Sequence, residues 1–318
     1  MDFTKIPIVF NVRKPVGISS FNVVYHFKKN LSFDFGKIGH FGTLDPFAEG
    51  VLLIGIQGAQ KLNDYVHKLL PKTYQAKGVF GGKTSTGDLT TPVVETKEIN
   101  EFWKGQTKEV LETFLVEKFL GEYWQSPHSV SAVKFEGKRL YQHALEGRII
   151  EKAKVKREIY SFEIIDYQYP HFDFIVTVSS GTYVRSLFEE IAELLGGVGA
   201  LETLSRLAVG NLSIDQAIKE EQWPKKNNLF SLEEFGIPLD KVLELDHIIL
   251  QREQTKRYIK GQRLGLTSVE RRPNPIPICS ENYFWVYDED GTLLGFARPV
   301  GSELHAIFTL NLAISLFS

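Results

Sequence analysis

His40-Phe41-Gly42-Thr43-Leu44-Asp45-Pro46-Phe47-Ala48-Glu49-Gly50 runs directly into the apolar stretch Val51-Leu52-Leu53-Ile54. The four apolar residues read as a short buried strand. In front of them, glycines open backbone conformations closed to other residues, and Pro46 fixes the exit from Asp45. The pattern holds one carboxylate at a defined place in a loop that feeds a buried strand. A carboxylate held in this way can act as a nucleophile or in proton transfer. A plainer alternative stands beside it, since Asp-Pro alone is also a common turn starter or helix cap.

Working outward towards the N-terminus, residues 8–31 read as a short strand, a turn at Lys14-Pro15-Val16-Gly17 and a helix. Ser19 or Ser20 caps that helix, and Phe21, Val24 and Phe27 supply its apolar face. On the other side, Tyr74 to Phe80 has strand character and Lys108 to Phe119 helical character. Phe172, Phe174, Val176 and Val178 alternate with Asp173, Ile175 and Thr177, the pattern of a strand with one buried face. A helix follows, with Leu187, Phe188, Ile191, Leu194 and Leu195 at helical spacing and Gly196-Gly197 ending it. From about His247 onward the pattern is short and strand-like. Tyr283 to Tyr287, the turn Asp288-Glu289-Asp290-Gly291 and Leu293 to Phe296 form a hairpin. The expected division is a large domain over 1–245 and a small mostly-β domain over 246–318.

A length of 318 residues, 43% hydrophobic and 24% charged, is that of an ordinary globular protein of more than one domain. No apolar run reaches the roughly 18 residues a membrane span needs. The N-terminus lacks the basic-then-apolar order of a signal peptide, so the cytoplasm is the expected location. Cys279 is the sole cysteine, which excludes an internal disulfide and a multi-cysteine metal site. Neither an H-E-x-x-H nor a G-x-S-x-G pattern occurs, so no metal and no serine nucleophile is expected. Net charge is −2, yet it is unevenly spread. Residues 1–100 carry 12 Lys/Arg against 8 Asp/Glu and residues 134–160 carry 8 against 4, whereas residues 186–250 carry 5 against 12. Such a chain can present a basic face to a nucleic acid despite its total, because binding follows local potential. An even scatter of solvated charges accounts for the counts as well.

Two further constellations carry chemistry. Gly181-Thr182-Tyr183-Val184-Arg185 lies at a strand-to-helix junction, where an arginine can reach back over the strand ends and align a carboxylate. In isolation, an arginine there is simply exposed. Lys72-Thr73-Tyr74 precedes Gly81-Gly82-Lys83-Thr84-Ser85-Thr86-Gly87-Asp88. The glycine-lysine-threonine resembles part of a phosphate-binding loop, but position 77, where that signature needs glycine, is Lys77. Tyr74 is a core or rim aromatic, or a platform on which a base stacks.

Together these segments resemble the bacterial tRNA pseudouridine-55 synthase family of TruB type. Lys14 to Ser20 is similar to that family's opening segment, and Gly39 to Leu52 to its catalytic loop. Lys72-Thr73-Tyr74, Gly81 to Asp88, Gln125-Ser126-Pro127, Ser131 to Lys134, Gly137 to Tyr141, Gly181 to Arg185 and Leu204 to Val209 follow in order. The likeness covers about residues 10–210. His128, Val130 and Leu145 depart from it, all in the segment of about 120–160 that grips the tRNA arm in relatives.

The resemblance implies an α+β (mixed) fold, with a catalytic domain around a largely antiparallel sheet and a small C-terminal PUA-like RNA-binding domain. It implies isomerisation of a tRNA uridine, U55 of the T-arm stem-loop, to pseudouridine. No cofactor, no guide RNA and no obligate protein partner is implied. Asp45 is then the essential carboxylate, attacking either the ribose or the base. Tyr74 stacks on the extruded uracil and serves in proton removal, Arg185 pairs with Asp45, Tyr183 lines the pocket and Leu204 packs beside the base. His40 and Lys14 support the catalytic loop and the flipped nucleotide. A rival reading keeps the cleft but not the chemistry, as an RNA-binding protein that opens and reanneals the tRNA arm. A chain ending near Leu245 is expected to stay folded; the alternative is that residues 246–318 only bury part of the catalytic domain, so that their removal unfolds it.

Overall fold

The computed structural model describes residues 6–126, 134–135, 138–139, 153–226, 230–273 and 283–310. Most of the expected tRNA-gripping segment, with His128, Val130 and Leu145, lies outside the described residues, as does Cys279.

Period-two burial builds the main sheet. Along His171–Val178, Phe172, Phe174, Val176 and Val178 all turn inward. The helix Val184–Leu194 lays Leu187, Phe188 and Ile191 on that face. The Phe188 ring sits over Gly78, where an added Cβ would come within 2.2 Å of the ring. Leu194, expected on the buried face, is exposed, and Leu195 takes the inward place at the helix end.

Among the described residues eleven strands join in this sheet. Its main path runs Ile237–Pro238, Ile8–Lys14, Glu49–Ile56, Gly199–Val209, Lys72–Thr84, His171–Val178, Val155–Gln168, Gly121–Gln125. Every pair on the path is antiparallel except one. Gly199–Val209 lies parallel to Glu49–Ile56, with Ser205 opposite Glu49 and Arg206 opposite Gly50. At Gly50 φ is +115°, and a Cβ there would stand 2.3 Å from the Arg206 carbonyl oxygen, so glycine alone permits this approach. That pairing brings the end of the Asp45 loop against the strand carrying Leu204 and Arg206.

The helix Ser20–Asn30 is capped by Ser19, whose hydroxyl accepts from the Asn22 N–H at 3.1 Å. Its buried face is Ser20, Val23, Val24 and Phe27. Phe21 is 69% exposed, against the sequence expectation, and stacks on Tyr25 on the outside. Ser20 takes the inward place in the first turn because its hydroxyl bonds the Leu44 backbone.

From Asp246 onward a second sheet forms, ordered Leu264–Gly265, Glu303–Thr309, Leu293–Val300, Phe284–Asp288, Asp246–Leu250, Glu270–Arg272. The expected hairpin is present, its turn held by the Asp288 carboxylate, which accepts from the N–H groups of Asp290 and Thr292. A helix not legible in the sequence, Arg252–Ile259, lies between the first strand and the rest. This β domain does not stand apart. Trp285 and Phe296 share one hydrophobic core with Val9, Val51, Leu53, Leu243 and Leu245, and Trp285 Nε1 donates to the Leu243 carbonyl at 2.6 Å. The expectation that a chain ending near Leu245 stays folded therefore lacks structural support, since the cut would open that core to water.

Candidate active site

The Asp45 loop is held from below and from both sides. Ser20 Oγ donates to the Leu44 carbonyl at 2.9 Å and accepts from the Leu44 N–H at 2.8 Å. Lys14, fully buried, points its ammonium at the carbonyls of Ile18, Pro15 and Pro46, at 2.7, 2.9 and 3.4 Å. Burial lowers the Lys14 pKa to about 8, with the Asp45 charge opposing the shift. From the neighbouring strand the buried Arg206 donates through Nε to the Val51 carbonyl at 2.7 Å. Its terminal nitrogens reach the carbonyls of Gly42 and Thr43 at 3.3 and 3.4 Å. Within the loop the Ala48 N–H donates to the Asp45 carbonyl, so the chain turns back immediately after the aspartate.

The partner of Asp45 comes from the far side of the sheet. His171–Val178 ends in Ser179-Ser180-Gly181-Thr182, where Gly181 has φ +82° and Thr182 bonds back to Ser179. The helix then begins, and Arg185 is its second residue. Its Nη2 lies 2.8 Å from Asp45 Oδ2, and its Nη1 lies 3.3 Å from Asp88 Oδ2 and 2.6 Å from the Thr86 carbonyl. One guanidinium therefore bridges two carboxylates. Their exposures differ: the Asp45 side chain is 36% exposed and Asp88 only 4%, with Arg185 at 7%. The Phe47 ring lies 5.8 Å from the guanidinium carbon.

Asp45 opens into a cavity of about 370 Å³ whose lining includes Tyr74, Tyr183, Arg185 and Leu204, a volume in the range of small-ligand clefts. Five of the seven residues singled out in the sequence thus meet in one place. Lys14 and His40 do not line it. Lys14 lies beneath the loop, and His40 sits on the short strand Gly39–His40 paired with Ile54. Its Nδ1 is buried with no hydrogen-bond partner among the described residues, and burial, then Arg206, lowers its pKa.

Of the other residues of the site, Arg206, Asp88 and Lys72 had been quoted only as parts of motifs and His67 not at all. Arg206 falls at the same strand parity as the buried Leu204, and a charge at an apolar position is the signal that marks it. Asp88 is fixed by Thr90, whose N–H donates to Oδ1 at 3.1 Å. Lys72, buried, donates to the Leu70 carbonyl at 2.6 Å, and burial lowers its pKa to about 7. His67 Nδ1 lies 3.0 Å from Ser180 Oγ on the cavity wall. The phosphate-loop alternative fails on geometry. Gly81 to Thr84 continue the strand Lys72–Thr84 and pair with Val93–Lys97, so no glycine loop opens onto a helix there. No helix among the described residues is long and apolar enough to cross a membrane.

Residues 28–184 match the family described as TruB family pseudouridylate synthase (N terminal domain). The tRNA pseudouridine synthase B of Thermosipho melanesiensis is 36% identical over 260 residues, 82% of this chain and 81% of the relative. That of Thermotoga maritima is 35% identical over 288 residues, 90% of this chain and 87% of the relative. Among solved structures, a chain of a Cbf5-Nop10-Gar1 complex superposes with a TM-score of 0.69 at 21% identity, covering 95% of this chain and 84% of that one. That last likeness is one of fold.

Proposed function

This chain belongs to the TruB family of pseudouridylate synthases and isomerises a tRNA uridine to pseudouridine, and from that premise we propose that Asp45 is its catalytic carboxylate and U55 of the T arm its target. The observation that carries the residue assignment is the bridging guanidinium of Arg185, which fixes a half-accessible carboxylate at the wall of the cavity. The bond between ribose C1′ and uracil N1 breaks, a bond between C1′ and C5 forms, the C5 proton leaves and N1 carries a proton in the product. Atoms and electrons balance without a co-reactant. A uracil stacked inside an RNA arm is out of reach, so it must first be extruded, at a cost of a few kcal/mol.

In this reading Tyr74 stacks on the extruded base and its hydroxyl assists removal of the C5 proton. Leu204 and Tyr183 complete the wall. Lys14, Ser20 and Arg206 keep the loop from recoiling as the carboxylate reacts. The β domain, PUA-like in this reading, extends the tRNA contact. The test is Asp45→Asn, which preserves shape and removes charge and nucleophilicity. Pseudouridine formation should fall by several orders of magnitude while folding and tRNA affinity stay near those of the wild type. A variant within tenfold of wild-type activity would end the assignment of Asp45.

A further inference from the structure

We propose that Gln125 is a positioning residue for the isomerisation, its side-chain amide setting the start of the helix from which Arg185 reaches Asp45. This inference rests on the roles of Asp45 and Arg185 given above. Gln125 closes the strand Gly121–Gln125 and is 2% exposed. Its Oε1 accepts from the Tyr183 N–H at 2.8 Å and its Nε2 donates to the Tyr183 carbonyl at 3.0 Å. A side chain that donates to and accepts from the main chain of one residue fixes orientation as well as distance, as a strand partner does. Tyr183 is the residue before the first turn of Val184–Leu194, and its own side chain makes no capping bond. Gln125 therefore supplies from a distant strand the anchorage that the cap lacks.

A second tie makes the arrangement more than a satisfied buried amide. Nε2 also donates to the Tyr123 hydroxyl at 3.2 Å, and that hydroxyl donates to Glu190 Oε2 at 2.6 Å. Glu190 is on the same helix as Arg185. The strand Gly121–Gln125 thus grips the helix at its N-terminus and about two turns further on, which blocks both rotation and sliding. Arg185 lies between the two grips. Its guanidinium must satisfy two carboxylates at once, so a small rotation of the helix disturbs the contact to Asp45.

The experiment compares Gln125→Glu and Gln125→Leu with the wild type in single-turnover pseudouridine formation on tRNA, from about pH 6 to about pH 9, beside tRNA affinity and thermal unfolding. A protonated glutamic acid keeps one donor and one acceptor, whereas a carboxylate offers only lone pairs to the Tyr183 carbonyl. Burial and the Glu190 charge raise the pKa of an acid placed there. Of the other titratable groups, Tyr123 touches the position directly; Arg157 acts through Tyr183, whose main chain Gln125 holds, and Lys154 and Glu193 act through Glu190. Gln125→Glu should therefore lose at least tenfold in rate, relative to wild type, as pH rises across that range. Gln125→Leu should be at least tenfold slow at every pH, with tRNA affinity within about twofold of wild type for both. Wild-type rates and a parallel pH profile in the glutamate variant would overturn the proposal, and so would losses confined to tRNA affinity. If the leucine variant fails to fold, the glutamate profile alone decides. A wild type forming no pseudouridine in the same assay would refute the reading of the site itself, a result distinct from active wild type beside unaffected variants.

Discussion

Replacing Arg185 by lysine asks which of two carboxylates a single cation will serve. The guanidinium spans them through different nitrogens, Nη2 to Asp45 and Nη1 to Asp88 and the Thr86 carbonyl. An ammonium is a point charge and cannot reach both. Leaving the 4% exposed Asp88 unpaired costs more than leaving the 36% exposed Asp45, because water solvates the latter. The lysine is therefore expected to settle on Asp88 and release Asp45. A hydrogen bond to a charged group contributes about 1.5–3 kcal/mol. If that alignment is lost from the reaction, the rate falls roughly 10- to 150-fold, at about 1.4 kcal/mol per tenfold. Arg185→Gln takes the opposite course, stranding Asp88 as a buried carboxylate and costing about 3–5 kcal/mol of stability. The assay is release of the C5 hydrogen from tritiated tRNA in single turnover, read beside urea unfolding. A lysine variant at wild-type rate, or a glutamine variant of wild-type stability, would refute the reasoning.

Tyr74→Phe keeps a ring for stacking, worth about 1–3 kcal/mol per base, and loses the hydroxyl. Turnover should fall far more than tRNA binding, and equal losses in Phe and Leu variants confined to binding would remove the proton-transfer role. Burial depresses the Lys72 pKa to about 7 in the folded chain, against about 10.4 unfolded, so the unfolded state binds more protons between those values and stability rises with pH there. Urea unfolding across that window should show a steeper rise in the wild type than in Lys72→Met, which keeps only the share of Lys14, lowered to about 8, and parallel curves would contradict it. A chain ending at Leu245 should be markedly destabilised or aggregate, since it exposes Val9, Val51, Leu53 and Leu243 beneath Trp285 and Phe296. A cooperative thermal transition at the wild-type temperature would show that the shared core is dispensable.

The sequence was most legible where one residue's surroundings repeat at a short period. The alternation at Phe172 to Val178 marked a strand now seen as His171–Val178, and the Lys108 to Phe119 pattern marked a helix with those bounds. It misled where a polar side chain took an inward place. At Ser20 a hydroxyl bonded to Leu44 displaced Phe21 to the surface, and no apolar periodicity announces such a bond. Local patterns also hid the second carboxylate. Nothing around Asp88 distinguishes it from a turn residue until Arg185, 97 positions later, is folded onto it. The shared core of the two domains was hidden for the same reason, because Trp285 reads as a strand residue whichever sheet or neighbour it meets.

The residues around Asp45 nevertheless share a logic that orders the motifs along the chain. The loop presents backbone carbonyls at Gly42, Thr43, Leu44 and Pro46, and these are met by donors from three other segments: Arg206 at the first two, Ser20 at the third and Lys14 at the fourth. The carboxylate itself is met from a fourth segment, at Arg185. None of these donors is near Asp45 in sequence, and two of the cations, Lys14 and Arg206, are buried with no carboxylate hydrogen-bonded to them among the described residues. Burying a cation against neutral carbonyls is costly, and a fold seeking stability alone would place apolar residues there. The expense is understandable if the loop must not yield when its carboxylate forms and releases a bond to the substrate. Cations aimed at carbonyls restrain the backbone without neutralising Asp45, whereas cations aimed at the carboxylate would compete with the substrate for it. Arg185 is the exception, and its second partner, Asp88, explains why it can align Asp45 without claiming it. One of its two terminal nitrogens is committed to Asp88 and the Thr86 carbonyl, so the pair is oriented yet still open to the cavity.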